Sequence, residues 1–106
     1  MADINDFNKL SIKIGTIRKA EKVESSSKLL KLEIDLGHER RQILAGIGEK
    51  YDPADLKGKQ VPVIANLEPR MLMGLESQGM ILCADINGAP VLIHPDEKVA
   101  NGTQVR

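Results

Sequence analysis

Aromatic side chains are almost missing from this sequence of 106 residues: Phe7 and Tyr51 are the only two. Recognition that stacks several bases on exposed rings is therefore excluded, and any core must be aliphatic. Cysteine is as scarce. Cys83 stands alone in an apolar run, which leaves no disulfide framework and no CxxC metal knuckle and fits a small core residue. No N-terminal apolar segment of signal-peptide length is present, and no run approaches the roughly 18 apolar residues needed to span a bilayer. A soluble, cytoplasmic protein without a membrane partner is expected. Net charge is absent too, since 15 Lys and Arg balance 15 Asp and Glu, which argues against a chain that coats nucleic acid through bulk charge.

Catalytic patterns are equally hard to find. An enzyme would have to rest on His38, His94 and Cys83. Neither histidine has a ligand partner four residues on, no HExxH or GxSxG occurs, and Cys83 lies in a strand pattern rather than at an activating helix start. Ala45-Gly46-Ile47-Gly48 is followed by neither GKS/T nor a long helix, so it is no phosphate loop. No catalytic residue, metal site or cofactor is expected.

What remains is patterning. The length fits one domain with a single modest core, 42% of the residues are apolar, and a two-domain enzyme with an interdomain cleft does not fit. Apolar residues fall on even positions at Leu10, Ile12 and Ile14 and on odd ones from Ile17 to Val23, with the slip at Gly15-Thr16. A glycine where a strand changes phase predicts a bulge or bend, and a long bent first strand is what a small closed barrel needs. Leu30, Leu32, Ile34 and Leu36 alternate with Lys31, Glu33 and Asp35 as a half-buried second strand. Gly37-His38-Glu39 turns the chain into a third strand, Arg40 to Ile47, with Ile43, Ala45 and Ile47 inward. From Glu49 to Gly58 a capping Asp52, a first-turn Pro53 and a terminating Gly58 predict one or two helical turns. Strand four is expected over Gln60 to Leu67 with Val61, Val63, Ala65 and Leu67 aligned and Pro62 at an edge or strand start. Strand five is expected over Gly79 to Ala84.

Three strands, a short helix and two strands is the order of an all-β, five-stranded Greek-key barrel, the OB-fold. Periodicity alone also allows an SH3-like barrel or small sandwich. Asn87-Gly88 then predicts a hairpin into Val91-Leu92-Ile93, followed by a proline-bearing loop and Thr103-Gln104-Val105. The expected organisation is one domain, residues 1–106, with a barrel over about 1–85 and a C-terminal β extension over about 86–106. The extension exceeds a minimal barrel and needs a surface to pack on, for which a second subunit is one candidate.

Charge is unevenly placed. Residues 9 to 31 carry seven basic side chains against Glu21 and Glu24, a net +5. OB-folds bind nucleic acid through strands two and three, and Lys31, Arg40 and Arg41 fall there. Between strands four and five run Ala65-Asn66-Leu67-Glu68-Pro69-Arg70 and Gly74-Leu75-Glu76-Ser77-Gln78-Gly79-Met80, which set a basic group, an amide and a Ser-Gln-Gly-Met run beside strand ends.

These two runs, with Asp6-Phe7, Lys28-Leu29-Leu30-Lys31-Leu32, Arg41-Gln42-Ile43, Ala45-Gly46-Ile47, Pro95-Asp96 and Gly102-Thr103-Gln104-Val105-Arg106, closely resemble the structure-specific tRNA-binding domain family. That family includes the C-terminal appendix of methionyl-tRNA synthetases, a free-standing tRNA-binding protein and a secretion chaperone-like relative. The resemblance implies an OB-fold with a C-terminal extension, tRNA as partner, and Lys31, Arg40, Asn66, Arg70, Ser77, Gln78 and Met80 as RNA contacts, to which Arg41 on the same face is added. It also implies homodimerisation through the extension, which points to Val91, Leu92 and Ile93, and association with the catalytic part of methionyl-tRNA synthetase if the chain is a piece of one. Family members often carry a second basic residue after the position of Arg70, where this chain has Met71-Leu72-Met73. A chaperone-like or assembly module is the alternative, with Met71, Leu72, Met73 and Met80 as an adaptable apolar groove.

Overall fold

The computed structural model describes residues 1–106. A short helix α1 (Ile4–Asn8) is followed by strands β1 (Ile12–Lys22), β2 (Leu30–Asp35), β3 (Arg40–Ala45), β4 (Gln60–Ile64), β5 (Arg70–Leu72), β6 (Leu75–Ser77), β7 (Met80–Ile81), β8 (Cys83–Ile86) and β9 (Ala89–Leu92). The main antiparallel sheet has the order β3-β2-β1-β4-β7 and curls into a nearly closed, OB-like barrel, while β5-β6 and β8-β9 are separate two-stranded ribbons. The sequence pattern missed α1. Its signal is Asp3 and Asp6, three residues apart, whose carboxylates each accept from the other's backbone N–H.

Strand β1 serves both halves of the barrel. Ile12 to Thr16 pair with β4, and Thr16 to Lys22 pair with β2. The bend expected at Gly15-Thr16 is visible as consecutive burial from Ile14 to Ile17, and the register slip itself falls two residues later, between Ile17 and Lys19. Gly15 is needed because a Cβ there would lie 2.5 Å from Ile34 Cγ2 and 2.8 Å from Leu36 Cδ2. The core is aliphatic as the composition required, with Ile17, Leu30, Leu32, Ile34, Ile43, Leu56, Val61 and Val63 almost wholly enclosed. Burying each such side chain contributes about 1.5–3 kcal/mol.

Between β3 and β4 the helical segment shrinks to one 3₁₀ turn, Pro53–Asp55, capped by Asp52. Pro62 is accommodated although β4 lies inside the sheet. Its Cα partner Ile14 directs its own N–H and carbonyl to Thr103 and Gly102, so Ile14 and Pro62 form a non-hydrogen-bonded pair and the missing N–H breaks no bond to β1. Strand four ends before Leu67, which is exposed rather than aligned with the core. The expected strand five is split between β7 and β8, with Leu82 between them.

The C-terminal segment packs on its own barrel. Ile14 and Val105 donate to Thr103 and Ile12, Gly102 donates to Ile14, and residues 102–105 thereby cover the β1 edge that β2 leaves open. Backbone approach at this junction is close from both sides. A Cβ on Gly37 would sit 2.7 Å from the Asn101 carbonyl oxygen, one on Gly102 would sit 2.6 Å from that of Leu36, and both glycines have positive φ.

Candidate nucleic-acid interface

The outward face of β1, β2 and β3 is a ladder of opposite charges. Glu21 is paired across the strands with Lys31, and Asp35 with Arg40. Lys31 Nζ lies 2.7 Å from Glu21, Arg40 lies 2.9 Å from Glu33, and Arg18 lies 3.1 Å from Asp35. Hydrogen bonding from Lys31 holds the Glu21 carboxyl below its ordinary pKa. The backbone N–H of Gly37, and then Arg18, do the same for Asp35, while the bond to Glu33 raises Arg40. A shallow cleft of about 350 Å³ between these side chains is bordered by Lys19, Lys31, Arg40 and Arg41 together with Glu21 and Glu33. Of its basic groups only Lys19 lacks a carboxylate within ion-pair distance.

Arg41 turns the other way, across the gap between β3 and β7. Its guanidinium donates to the carbonyls of Ala65 and Gln78 and pairs with Glu39, whose carboxyl this bond lowers. No regular ladder joins β3 to β7, and one backbone bond together with side-chain bonds closes the barrel instead. Gln42 accepts at its carbonyl from Gln78 N–H at 2.8 Å, its own N–H donates to Gln78 Oε1 at 3.2 Å, and its side-chain amide donates to Glu76. The buried Ser77 hydroxyl accepts from Leu44 N–H at 3.0 Å and donates to the Gly79 carbonyl. Ser77-Gln78-Gly79 thus forms the seam of the barrel, and a Cβ on Gly79 would strike the Ile64 carbonyl oxygen at 2.9 Å. Asn66 stands elsewhere, fastening the N-terminal segment through 2.7 Å from Ser11 N–H and 2.8 Å to the Lys9 carbonyl.

Arg70 differs from all of these. It is exposed at the start of β5, opposite Ser77, and has no carboxylate within ion-pair distance and no hydrogen-bond partner. A small cleft of about 60 Å³ brings it together with Leu67, Glu68, Leu72, Ser77 and Met80. A neighbouring cleft of about 360 Å³ joins Arg40, Arg41 and Gln78 to Leu67 and Pro69. Most of the expected contact residues form one strip, running from Lys31 through Arg40, Arg41 and Gln78 to Arg70 and Met80; Asn66 lies outside it, and Ser77 is buried with its hydroxyl committed to the seam rather than presented to a partner. The β5-β6 ribbon at its end was read from the sequence only as a turn-rich connection. Its signal is the dipeptide Met73-Gly74, both with positive φ, between two strands of three residues.

The β8-β9 hairpin forms at Asn87-Gly88 as expected, again with both residues at positive φ. Its two faces are unlike. Leu92 belongs to the barrel's own core, whereas Ala84, Ile86, Ala89 and Val91 share the opposite side by register, with Ile86 59% exposed; Ile93, directly after β9, is 42% exposed. Ile86 escaped the sequence reading, although its place directly before Asn87-Gly88 marks it.

An OB-like β-barrel carrying a polar strip across strands two and three and the β5-β6 ribbon is the class that fold and site define. The chain belongs to the family described as "Putative tRNA binding domain", which matches residues 12–104. It is 55% identical over 102 residues to a methionine–tRNA ligase of Archaeoglobus fulgidus, covering 96% of this chain and 16% of that protein. The chain thus spans about one sixth of the length of the curated relatives it matches. In structure it is similar to the MetRS related protein from Pyrococcus horikoshii, with a TM-score of 0.95, 38% identity and coverage of 100% of this chain and 98% of that one. The chaperone CsaA from Bacillus anthracis superposes with a TM-score of 0.92 at 34% identity, covering 100% of this chain and 99% of that one. No helix is long and apolar enough to cross a membrane.

Proposed function

We propose that this chain is a non-catalytic module that binds tRNA by its folded shape, acts as a cytoplasmic homodimer, and either aids tRNA capture by methionyl-tRNA synthetase or works as a free-standing tRNA-binding protein. The observation that carries the reading is Arg70: an exposed guanidinium without a protein partner, at the end of a polar strip, in a chain of this family. Such a group is available to a phosphate, whereas Lys31, Arg40 and Arg41 must share theirs with a carboxylate. With no stacking rings and no net charge, the strip is suited to phosphates and 2′-hydroxyls set in a fixed geometry rather than to unpaired bases. The apolar side of β8-β9 supports dimerisation, which would enlarge the RNA-facing surface without a more basic chain.

Filter binding of the purified chain to several tRNAs with different anticodons, and to unstructured RNA of the same length, tests this. Similar affinity across the tRNAs and much weaker binding to the unstructured strand are expected, with log affinity falling linearly with log salt. Equal or tighter binding to the unstructured RNA removes shape recognition. A second reading, a chaperone-like module that holds peptide segments, is favoured by one observation: Met71, Met73 and Met80 are all exposed in the fold's β5-β6 to β7 region.

A further inference from the structure

The chain contains two hairpins built on the same tight turn, and they differ in one residue. Asn87-Gly88 joins β8 to β9 with φ of 50° and 89°, and Met73-Gly74 joins β5 to β6 with φ of 52° and 79°. Asparagine is tolerated in the left-handed region because its short amide bonds locally; methionine has no such compensation. The first turn is therefore the stable solution, and the second keeps a flexible apolar side chain at its tip against the preference of the backbone. Met73 is 54% exposed there. Backbone strain of this kind points to what the side chain does outside the fold.

The rest of the ribbon points to the chemistry of a partner. Along the ribbon, Arg70, Leu72, Leu75 and Ser77 share one side by register, and Met71 and Glu76 share the other. On the first side the unpaired Arg70 stands among Leu67, Leu72 and Met80, with Glu68 as the acidic neighbour of the same cleft. An anionic ligand that also offers apolar area fits this combination, and RNA offers both in its phosphates and its base and ribose faces. We propose that the β5-β6 ribbon is a probe for folded RNA, in which Arg70 takes a phosphate and Met73 packs against a base or ribose face where the stacking of the RNA is interrupted. The ribbon would thereby supply the apolar contact that aromatic residues supply in other nucleic-acid-binding barrels. This rests on the tRNA-binding reading above.

Met73→Asn tests it without weakening the fold, since it restores the asparagine-glycine turn already present at Asn87-Gly88. The variant is expected to melt at the same or a higher temperature and to bind tRNA some three- to tenfold more weakly, with the slope of log affinity against log salt unchanged, because the lost contact carries no charge. Met71→Ser, which alters a still more exposed methionine on the side of the ribbon opposite Arg70, is expected to bind within about twofold of the parent, the scatter expected of a surface change. Undiminished tRNA binding by Met73→Asn overturns the proposal, as does an equal loss in Met71→Ser. Loss of binding to an apolar peptide probe with tRNA affinity retained overturns it in favour of a peptide partner. If the parent chain itself fails to bind tRNA, the tRNA-binding reading falls rather than the role of Met73 within it.

Discussion

Arg70 and Arg41 are the same residue type in the same strip, and the folded chain uses them oppositely. Arg41 bridges two backbone carbonyls across the β3-β7 seam, so Arg41→Ala orphans acceptors and is expected to destabilise the protein by about 1–3 kcal/mol, read from denaturant midpoints. Arg70→Ala removes a side chain with no internal partner. Its melting temperature should barely change, while tRNA affinity should fall by on the order of 1 kcal/mol and the salt slope flatten by roughly one unit or less. Lys31→Ala should lose less affinity than Arg70→Ala, because Glu21 at 2.7 Å already shares the ammonium group. Substituting Lys57 and Lys59, which lie away from the strip beside Gly58, provides the comparison; equal losses there would mean diffuse electrostatics. At this scale the sequence was legible in residue type and not in direction. Ser77, Gln78 and Asn66 are polar residues beside strand ends, and nothing in their spacing says that their hydrogen bonds close the barrel and fasten the N-terminal segment. Those bonds depend on partners 33 to 57 positions away in the chain.

Elements with a strong period were readable and elements that depend on remote partners were not. The alternation of Leu30 to Leu36 identified β2, and Asn87-Gly88 identified its hairpin, since both signals are local. The β5-β6 ribbon was missed because its turn carries methionine where asparagine would announce it, and strand five was read as continuous because Leu82 hides the break between β7 and β8. The docking of the tail was equally invisible: Gly102 is an ordinary turn glycine until the Leu36 carbonyl is found 2.6 Å from where its Cβ would be. Gly102→Ala combines that clash with a positive φ and is expected to cost about 2 kcal/mol or more, measured by chemical denaturation. The charge ladder on β1-β3 gives a pH dependence with a definite sign. Glu21, Asp35 and Glu39 have folded pKa values below their unfolded ones, so their stabilisation is complete above the unfolded carboxylate range of about 4 and is lost as pH falls through the depressed folded values. The melting temperature should be flat from neutral pH to about 5 and decline below about 4. Arg40 is shifted upward and stays charged throughout that range, but its stabilisation rests on the carboxylates of Glu33 and Asp35 and is lost when they are protonated.

For the whole molecule the open question is what covers the apolar side of β8-β9. The tail does not, because residues 102–105 are occupied with the β1 edge of their own barrel. Ala84, Ile86, Ala89 and Val91 lie on one side of a short ribbon, with Ile93 exposed directly after it, and a two-fold axis beside it would let each copy bury the same residues against the other, as an isologous interface requires. Cutting the chain after Ala84 is a poor test, since it removes Leu92 from the core and uncovers β1 together with the interface. Point changes separate the two roles. Ile86→Lys with Ile93→Asp places charges on the exposed side alone and should convert a sedimenting dimer into a monomer with little loss of monomer fold, visible as a retained strand-type circular dichroism spectrum. Leu92→Ala should lower stability by about 2–5 kcal/mol whatever the oligomeric state, because its side chain fills the barrel. tRNA affinity is the further readout. If two strips act together, the monomeric double variant should bind tRNA at least tenfold more weakly while Arg70 keeps its share of the salt slope, the signature of a lost second contact and not of a damaged site. A parent chain that sediments as a monomer at micromolar concentration, or a double variant that binds tRNA as well as the parent, would leave the apolar side of β8-β9 without a role in RNA binding.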